Sequence, residues 1–279
     1  MILIADSGST KTDWRWIGAD GSQRAFATEG YNPYFTTQEK MEHSLQEHLM
    51  RQMTSLAVWE IFFYGAGCSH PEKNRMVEAA LLACFPGASV AVNHDLLGAC
   101  RALLKQEAGF AAILGTGTNT AMYNGQTISL NIDSLGYLLG DEGSGCYIGK
   151  KIIAEYMRRQ LPPELEAAFR EYCPMSFDEL FDRIHFQPLP NRFCAGFARL
   201  VIRHRDHPVC EAMIRSAFQD FFEKIVCRYP AYRKYAFHCV GSIAWFNQPM
   251  LQEACRKYEM PFGQIIQSPI ESLVNFHTR

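Results

Sequence analysis

The sequence predicts an α/β protein made of two related halves, each with a mixed sheet flanked by helices. Residues 1–30 show three short strand patterns joined by two tight turns. Residues 110–130 repeat this layout, with a turn of glycines and hydroxyls after the first strand and a hairpin at Asn124-Gly125. We therefore expect a duplicated fold with a cleft between its halves.

The two halves are predicted to meet near residue 105. Residues 1–105 would form an N-terminal lobe, and residues 106–279 a C-terminal lobe with a helical insert. No stretch rich in proline, glycine or serine marks the boundary, so a packed hinge is expected there rather than a free linker.

The elements of the first half follow from its apolar spacing. After the three strands, Met41, Leu45, Leu49 and Met53 recur every four residues and predict a helix over 38–55. The remaining elements alternate, as strand, helix, strand and helix: WEIFFYGAGCS, PEKNRMVEAALLACF, ASVAVNHD and LLGACRALLK.

The second half continues from its strand pair into a mostly helical stretch. A helix is predicted over 146–160, and LPPEL ends it; residues 164–235 are predicted to be mostly helical with proline-bearing connections. The remaining segments are predicted as a strand with a Gly-Ser turn, a helix and a last strand: YAFHCVGSIAWF, MLQEACRKYEM and GQIIQSP.

Composition excludes several classes of function. The 279 residues carry a formal net charge of -2, which gives no electrostatic footprint for nucleic acid or an acidic membrane. No signal peptide and no membrane-spanning run is visible, so a cytoplasmic protein is expected. The ten cysteines include no CxxC pair and are mostly in apolar stretches, which predicts reduced core thiols rather than a metal site.

Three turns of glycine and hydroxyl residues follow apolar strands: IADSGSTKTD, AILGTGTN and HCVGSIA. Backbone N–H groups, hydroxyls and a cation are the donors that phosphate oxygens require. No Walker GxxxxGK[ST] motif is present. GTGTNT has only two of the three glycines of a Rossmann fingerprint and leads into a strand.

Five motifs in order carry a resemblance that covers nearly the whole chain: DSGSTKTDW, NHDLLGACRA, LGTGTN, GYLLGDEGSGCYIG and VGSIA. They resemble the acetate and sugar kinase, Hsp70 and actin superfamily, whose fold is a duplicated, ribonuclease H-like actin-like ATPase fold with a nucleotide cleft. Within it the chain is most similar to the N-acetylglucosamine kinase and BadF/BadG/BcrA/BcrD ATPase family.

The resemblance implies ATP and Mg²⁺ as cofactors, a small-molecule sugar as the partner, and suggests a homodimer. It places Asp6 near the Mg²⁺ and Asp95 where these kinases have their catalytic base. It implies that the nucleotide is bound by the three turns, through Gly8, Ser9, Thr10, Lys11, Gly115, Thr116, Gly117, Thr118, Gly241 and Ser242. It implies that the sugar is bound by Asn32, Asp95, Thr116 and Asp141.

Each of these residues also has a local structural explanation. Asp6 could cap its own turn, and Asp95, directly before an apolar helix, could be the helix N-cap. Asp141 and Glu142 could be carboxylates at a helix start. Other residues fit roles as turn, strand-end or solvated positions: Lys11, Asn32, His94, Thr116 and Asn119. These explanations do not account for the shared order of the motifs.

The sequence leaves the function open among three classes. The leading hypothesis is ATP-dependent phosphorylation of a sugar, such as an amino sugar of the N-acetylglucosamine type, with Asp95 as general base. The alternatives are a BadF-type ATPase activator of a dehydratase, which needs cysteines for an iron–sulfur cluster, and a non-catalytic sugar sensor. The family's glycine-rich GGWG-like stretch is replaced by Asp133-Ser134-Leu135-Gly136, which leaves the identity of the sugar open.

Overall fold

A computed structural model describes residues 1–278 and divides the chain into two compact units. The first comprises Met1–Glu107, Gly125–Thr127 and the C-terminal residues from Ser268 on; the second comprises Ala108–Asn124 and Ile128–Gln267. Each unit contains a five-stranded mixed sheet with helices packed on it, which is the α/β, actin-like architecture expected from the sequence. The prediction of a single boundary near residue 105 placed all later residues in the C-terminal lobe, whereas the residues from Ser268 on belong to the first unit.

The first unit contains five strands and four α-helices in its described residues. The strands are β1 (Ile2–Ser7), β2 (Lys11–Ile17), β3 (Gln23–Glu29), β4 (Glu60–Gly65) and β5 (Ser89–His94). The helices are α1 (Gln38–Ser44), α2 (Pro71–Cys84), α3 (Asp95–Leu104) and, at the end of the chain, a further helix (Ile270–His277).

The strand order of this sheet is β3-β2-β1-β4-β5. The first three strands are antiparallel, whereas β1, β4 and β5 run parallel to one another. The carboxyl ends of these three parallel strands therefore lie at one edge, which places Asp6 and Asp95 at that edge.

The two faces of the first sheet carry different side chains. Leu3, Ala5, Ile61 and Phe63 are buried on one face, where they pack into a core with α1 and α2. The alternate positions, including Asp6 and its cross-strand neighbour Tyr64, point to the opposite face, which is covered by α3 and the C-terminal helix.

The predicted helix over 38–55 is only partly α-helical. After Ser44 it becomes a π-helix over Leu45–Met50. A strict four-residue spacing drifts around a helix of 3.6 residues per turn, and a wider turn reduces that drift. The π-helical turn thus keeps Met41, Leu45 and Leu49 all fully buried.

The second unit repeats the sheet and adds a helical layer. Its strands are β6 (Ala108–Leu114), β7 (Thr118–Asn124), β8 (Ile128–Leu130), β9 (Phe237–Val240) and β10 (Phe262–Ile266), in the order β10-β9-β6-β7-β8. Its α-helices are α4 (Gly136–Leu139), α5 (Gly145–Met157), α6 (Pro163–Tyr172), α7 (Phe177–His185), α8 (Pro190–Gly196), α9 (Ala198–Arg203), α10 (Pro208–Lys224), α11 (Ser242–Phe246) and α12 (Gln248–Lys257). The helix at the end of the chain, in the first unit, is α13.

Most predicted elements are present, and α4 and α13 were missed. The prediction ended the chain on a strand, whereas α13 follows that strand. The prediction that the cysteines are core thiols is confirmed, because all ten are free and nine are buried. Within residues 1–278 no helix is long and apolar enough to cross a membrane.

Candidate active site

The turn between β1 and β2 is closed by its own backbone and supported by Gly30. Gly8 N–H donates to the Lys11 carbonyl at 3.0 Å, and Gly30 N–H donates to the Thr10 carbonyl at 3.1 Å. A Cβ at Gly30 would lie 2.3 Å from the Gly8 oxygen, so only glycine fits beneath the turn. The N–H groups of Ser9 and Thr10 bond to nothing else in residues 1–278, which leaves two donors for an anion.

Buried hydroxyls fix the strand ends behind this turn. Ser7 and Thr12 are fully buried, with 2.8 Å between their hydroxyl oxygens. The Thr12 hydroxyl donates to the Glu29 carbonyl at 2.8 Å, and Ser7 accepts the N–H of Tyr31 at 3.0 Å. All three strands are thereby joined at the turn.

The Lys11 ammonium leaves the turn along β2. Its Nζ lies 2.6 Å from Asp13 Oδ1, and the side chain is 58% exposed. An exposed ion pair of this kind contributes little to stability. The ammonium can therefore exchange this partner for a phosphate at small energetic cost.

Asp6 lies at the end of β1 among other acidic groups. Burial raises the pKa of its carboxyl group to about 7, the negative charges of Asp95 and Asp13 act in the same direction, and Lys11 opposes them. The carboxylate has no hydrogen-bond partner in the part of the chain that the structure describes. Turn capping is therefore not the role of Asp6 in this structure.

This carboxylate environment fits a hard divalent cation. An added positive charge would offset both causes that raise the pKa of Asp6, the burial of its charged form and the repulsion from Asp95 and Asp13. Residues 1–278 contain no group of three or more His, Cys, Asp or Glu side chains arranged to hold a metal. Magnesium sites typically use one or two carboxylates and complete the shell with water and substrate phosphates, and Asp6 fits that pattern.

Asp95 is the first residue of α3, at the carboxyl end of β5. The N-cap is His94, whose Nδ1 accepts the Leu96 N–H at 3.4 Å, so the interpretation of Asp95 as N-cap is wrong. Asp95 Oδ1 accepts the same N–H at 2.8 Å and lies 3.4 Å from His94 Nε2. Its side chain remains 21% exposed, so one face of the carboxylate can reach a ligand.

Asn32 lies in the loop after β3. Its Oδ1 accepts the Tyr34 N–H at 3.0 Å, which is the turn role that the sequence allows. Gly67, at a φ of +82°, lies against the carboxamide, and a Cβ there would be 2.5 Å from Oδ1. The two amide N–H donors of Asn32 have no partner within residues 1–278 and remain available to an acceptor such as a sugar hydroxyl.

The turn between β6 and β7 presents the second set of free donors. Gly115 N–H donates to the Gly117 carbonyl at 3.0 Å. The first two N–H groups of α5, from Gly145 and Cys146, donate to the carbonyls of Gly115 and Thr116 at 2.8 and 3.0 Å. The N–H groups of Thr116 and Gly117 have no partner within residues 1–278.

Asp141 lies beneath this second turn. Its Oδ1 accepts the Thr118 N–H at 3.0 Å, and a Cβ at Gly117 would lie 3.1 Å from its carboxylate oxygens. Only 7% of Asp141 is exposed, and burial raises its pKa. The alternative of a helix-start carboxylate is wrong, because α5 begins at Gly145 with Ser144 as its N-cap. A contact between Asp141 and a sugar stays a prediction.

Gly241 connects β9 to α11 at the carboxyl edge of the second sheet. Its φ is +126°, and a Cβ would lie 2.3 Å from the carbonyl oxygen of Leu114, the last residue of β6. The neighbouring Ser242 is exposed. The second turn and Gly241 thus share the edge formed by the ends of β6, β9 and β10.

The structure adds supporting residues that were not among the predicted site residues. Ser7, Thr12 and Gly30 hold the first turn, and Ser144 caps the helix that holds the second. Gly30 directly follows β3, and a glycine after a strand is an ordinary turn signal. The sequence alone gives no indication that the glycine approaches Gly8.

Comparison with known proteins identifies the family. A crystal structure from Porphyromonas gingivalis, described as a "Putative N-acetylglucosamine Kinase", is 36% identical, with 99% of this chain and 98% of that chain covered and a TM-score of 0.94. The chain belongs to the N-acetylglucosamine kinase-like family. No family model and no curated protein matches it.

More distant structures share the fold. A protein of Chromobacterium violaceum with the same description is 16% identical over 99% of this chain and 98% of that chain, with a TM-score of 0.77. The ethanolamine utilization protein EutJ of Carboxydothermus hydrogenoformans is 12% identical over 97% and 86%, with a TM-score of 0.56. These likenesses confirm the actin-like ATPase fold of this family member.

Proposed function

We propose that this protein transfers a phosphoryl group from ATP to a hydroxyl group of a small sugar, of the amino-sugar class that includes N-acetylglucosamine. The observation that carries the proposal is the placement of Asp6 and Asp95 at one sheet edge, the edge that also bears the turn with free N–H groups. Membership of a family whose 36% identical member is described as a kinase of this sugar supports it.

In this proposal Asp95 is the general base. Its partly exposed carboxylate accepts the proton of the sugar hydroxyl as the oxygen attacks phosphorus. The side-chain amide of Asn32 donates a hydrogen bond to a sugar hydroxyl and so orients the sugar ring. Thr116 and Asp141 contact the sugar as well. His94 caps α3 and touches one oxygen of Asp95, which keeps the carboxylate in a fixed direction.

The phosphates are bound by main-chain donors and one cation. One part of the phosphate chain is bound by the N–H groups of Ser9 and Thr10 and the ammonium of Lys11. Another part is bound by the N–H groups of Thr116 and Gly117. Asp6 would hold Mg²⁺, which when bound neutralises charge on the phosphate oxygens. Gly241 and Ser242 would bind the adenosine, as the resemblance to the family implies.

The decisive experiment measures ADP release from ATP and Mg²⁺ against a panel of hexoses and hexosamines with a no-sugar control. We expect one sugar to stimulate release strongly and to yield a phosphorylated product by mass spectrometry. Release that no sugar alters would point to the activator ATPase, and no release at all would favour the sensor. Within residues 1–278 nine of the ten cysteines are buried, an arrangement that does not favour the activator.

Two glycine variants separate the ligand-binding and folding roles of the turns. A Cβ at Gly115 meets nothing within 4 Å, so Gly115→Ala should melt like the wild type but bind ATP more weakly, because the methyl group occupies space next to the free donors. Gly241→Ala should lower the free energy of unfolding by about 2 kcal/mol or more, because of its φ and its clash with Leu114. Thermal melts and ATP titrations check both variants. A melting temperature of Gly241→Ala equal to that of the wild type would contradict the role of Gly241 in folding.

A further inference from the structure

The C-terminal helix α13 is anchored to the first sheet at both ends. At its start, Glu271 Oε1 accepts hydrogen bonds from Arg15 of β2, at 2.8 Å from Nε and 2.6 Å from Nη2. Between the ends, Ile270, Leu273 and Val274 are buried. At its last residue, His277 packs on β4.

His277 makes two contacts with alternate residues of β4. Its ring stacks on Phe62, with 3.8 Å between ring centroids and an interplanar angle of 20°. Its Nε2 lies 2.8 Å from the hydroxyl oxygen of Tyr64. Burial and the positive charge of Arg101 lower the pKa of His277 to about 4, so the ring is neutral near pH 7.

Tyr64 in turn contacts α3 at two points. Arg101 Nη1 donates to the Tyr64 hydroxyl at 2.8 Å. A Cβ at Gly98 would lie 2.9 Å from the tyrosine ring, so the ring packs directly on the helix backbone. Gly98 and Arg101 lie about one and two turns after Asp95 on the same helix.

We propose that Tyr64, held by His277 of the C-terminal helix, is a positioning residue that fixes the rotation of α3 and thereby the direction of the Asp95 carboxylate. Contacts at both Gly98 and Arg101 oppose rotation of α3 about its axis, in addition to its packing against α13 and the sheet. The inference rests on the proposed function, in which Asp95 is the base. Small displacements of a reacting group are costly, because rate depends steeply on alignment.

The test is Tyr64→Phe, which keeps the ring on Gly98 and removes only the hydroxyl. We expect kcat for the sugar found in the panel to fall roughly 10-fold, with the KM for ATP unchanged within about twofold. His277→Phe keeps the stack on Phe62 without the hydrogen bond and should have the same effect. His277→Gln, which restores a polar partner for the hydroxyl, should recover most of the rate.

Glu271→Gln is the matched control. It weakens the other anchor of α13, outside the contacts to α3, and should leave kcat unchanged at a melting temperature similar to that of the His277 variants. If kcat falls equally in Glu271→Gln, the effect belongs to docking of α13 in general, and the positioning role is wrong. A kcat of Tyr64→Phe equal to that of the wild type also overturns the positioning role. If Tyr64→Phe does not fold, the same result in His277→Phe overturns it.

Hydrogen exchange makes the inference independent of turnover. The backbone amides of residues 96–100 should exchange faster in Tyr64→Phe and His277→Phe than in the wild type and in Glu271→Gln. If the wild type phosphorylates no sugar, the proposed function fails, while faster exchange still supports the control of α3 by Tyr64. Unchanged exchange in both variants overturns that control whatever the activity.

Discussion

Replacing Asp95 with asparagine should lower sugar-stimulated turnover by about 100-fold or more while leaving ATP binding largely intact. Asparagine has the size of aspartate, and its Oδ1 can still accept the Leu96 N–H that Asp95 accepts at 2.8 Å. What is lost is the capacity to take the proton of the attacking hydroxyl. The measurement is kcat from ADP release, with the Kd for ATP from a separate titration.

The neighbouring imidazole provides the matched control. His94 Nε2 lies 3.4 Å from Asp95 Oδ1 and is the other candidate base at this edge of the sheet. His94→Asn removes the imidazole but keeps a side chain that caps helices well, so α3 should still begin at residue 95. A far smaller loss of turnover in His94→Asn than in Asp95→Asn assigns the base to Asp95, because His94 only helps to orient the carboxylate. The reverse result, or turnover surviving in Asp95→Asn, would show that Asp95 is not the base.

The supporting contacts of the site mark the limit of what the sequence could predict. The turns at residues 8–11 and 115–118 were predicted because glycines and hydroxyls between strands have a local signature. The dependence of the first turn on Gly30 was not predicted, because Gly30 and Gly8 are far apart in sequence. In the structure a Cβ at Gly30 would lie 2.3 Å from the Gly8 oxygen. Contacts between distant segments leave no periodic pattern.

Asp95 and Asp141 show the same limit for polar side chains. The sequence left Asp95 as either N-cap or base, and His94 turned out to be the cap because its Nδ1 reaches the Leu96 N–H. For Asp141 the sequence left a sugar contact or a helix-start carboxylate, and the structure shows that its Oδ1 accepts the Thr118 N–H from beneath the second turn. Propensity could not distinguish these partners, because Asp suits caps, turns and ligand sites equally.

The helix α13 was missed for a related reason. Its eight residues, IESLVNFH, follow a proline and are too few to show a clear helical period. Isolated helices of this length are marginal in water, so this one depends on packing. Its buried Leu273 and Val274 and its bonds to Arg15 and Tyr64 supply that packing.

Replacing Asp6 with asparagine should abolish turnover and at the same time stabilise the ligand-free protein above pH 7. The folded protein holds the Asp6 proton up to a pH of about 7, because burial and two acidic neighbours raise its pKa from 3.8. The folded state therefore binds more protons than the unfolded state between these values, and stability falls as the pH rises from about 4 to about 7. Asparagine carries no charge and escapes that loss.

The expected signature is a difference in melting temperature that depends on pH. With a chelator present, Asp6→Asn and the wild type should melt alike near pH 4, and the variant should melt increasingly higher up to about pH 7, with a constant advantage above it. In the wild type, Mg²⁺ with ATP should raise the melting temperature more at pH 8 than at pH 6, because protons compete for the carboxylate. Asp6→Asn should lose this pH dependence.

Asp13→Asn tests whether these effects come from the position of Asp6 or from any loss of negative charge. Asp13 is the cross-strand partner of Asp6 and contributes to its raised pKa, but it is paired with Lys11 at 2.6 Å. Removing its charge should lower the pKa of Asp6 and give a smaller gain in melting temperature, with turnover kept. Equal loss of turnover in both variants would mean that Asp6 has no special role in holding a cation. If Asp6→Asn and the wild type melt at the same temperature at pH 8, the pKa of Asp6 is not raised by its surroundings.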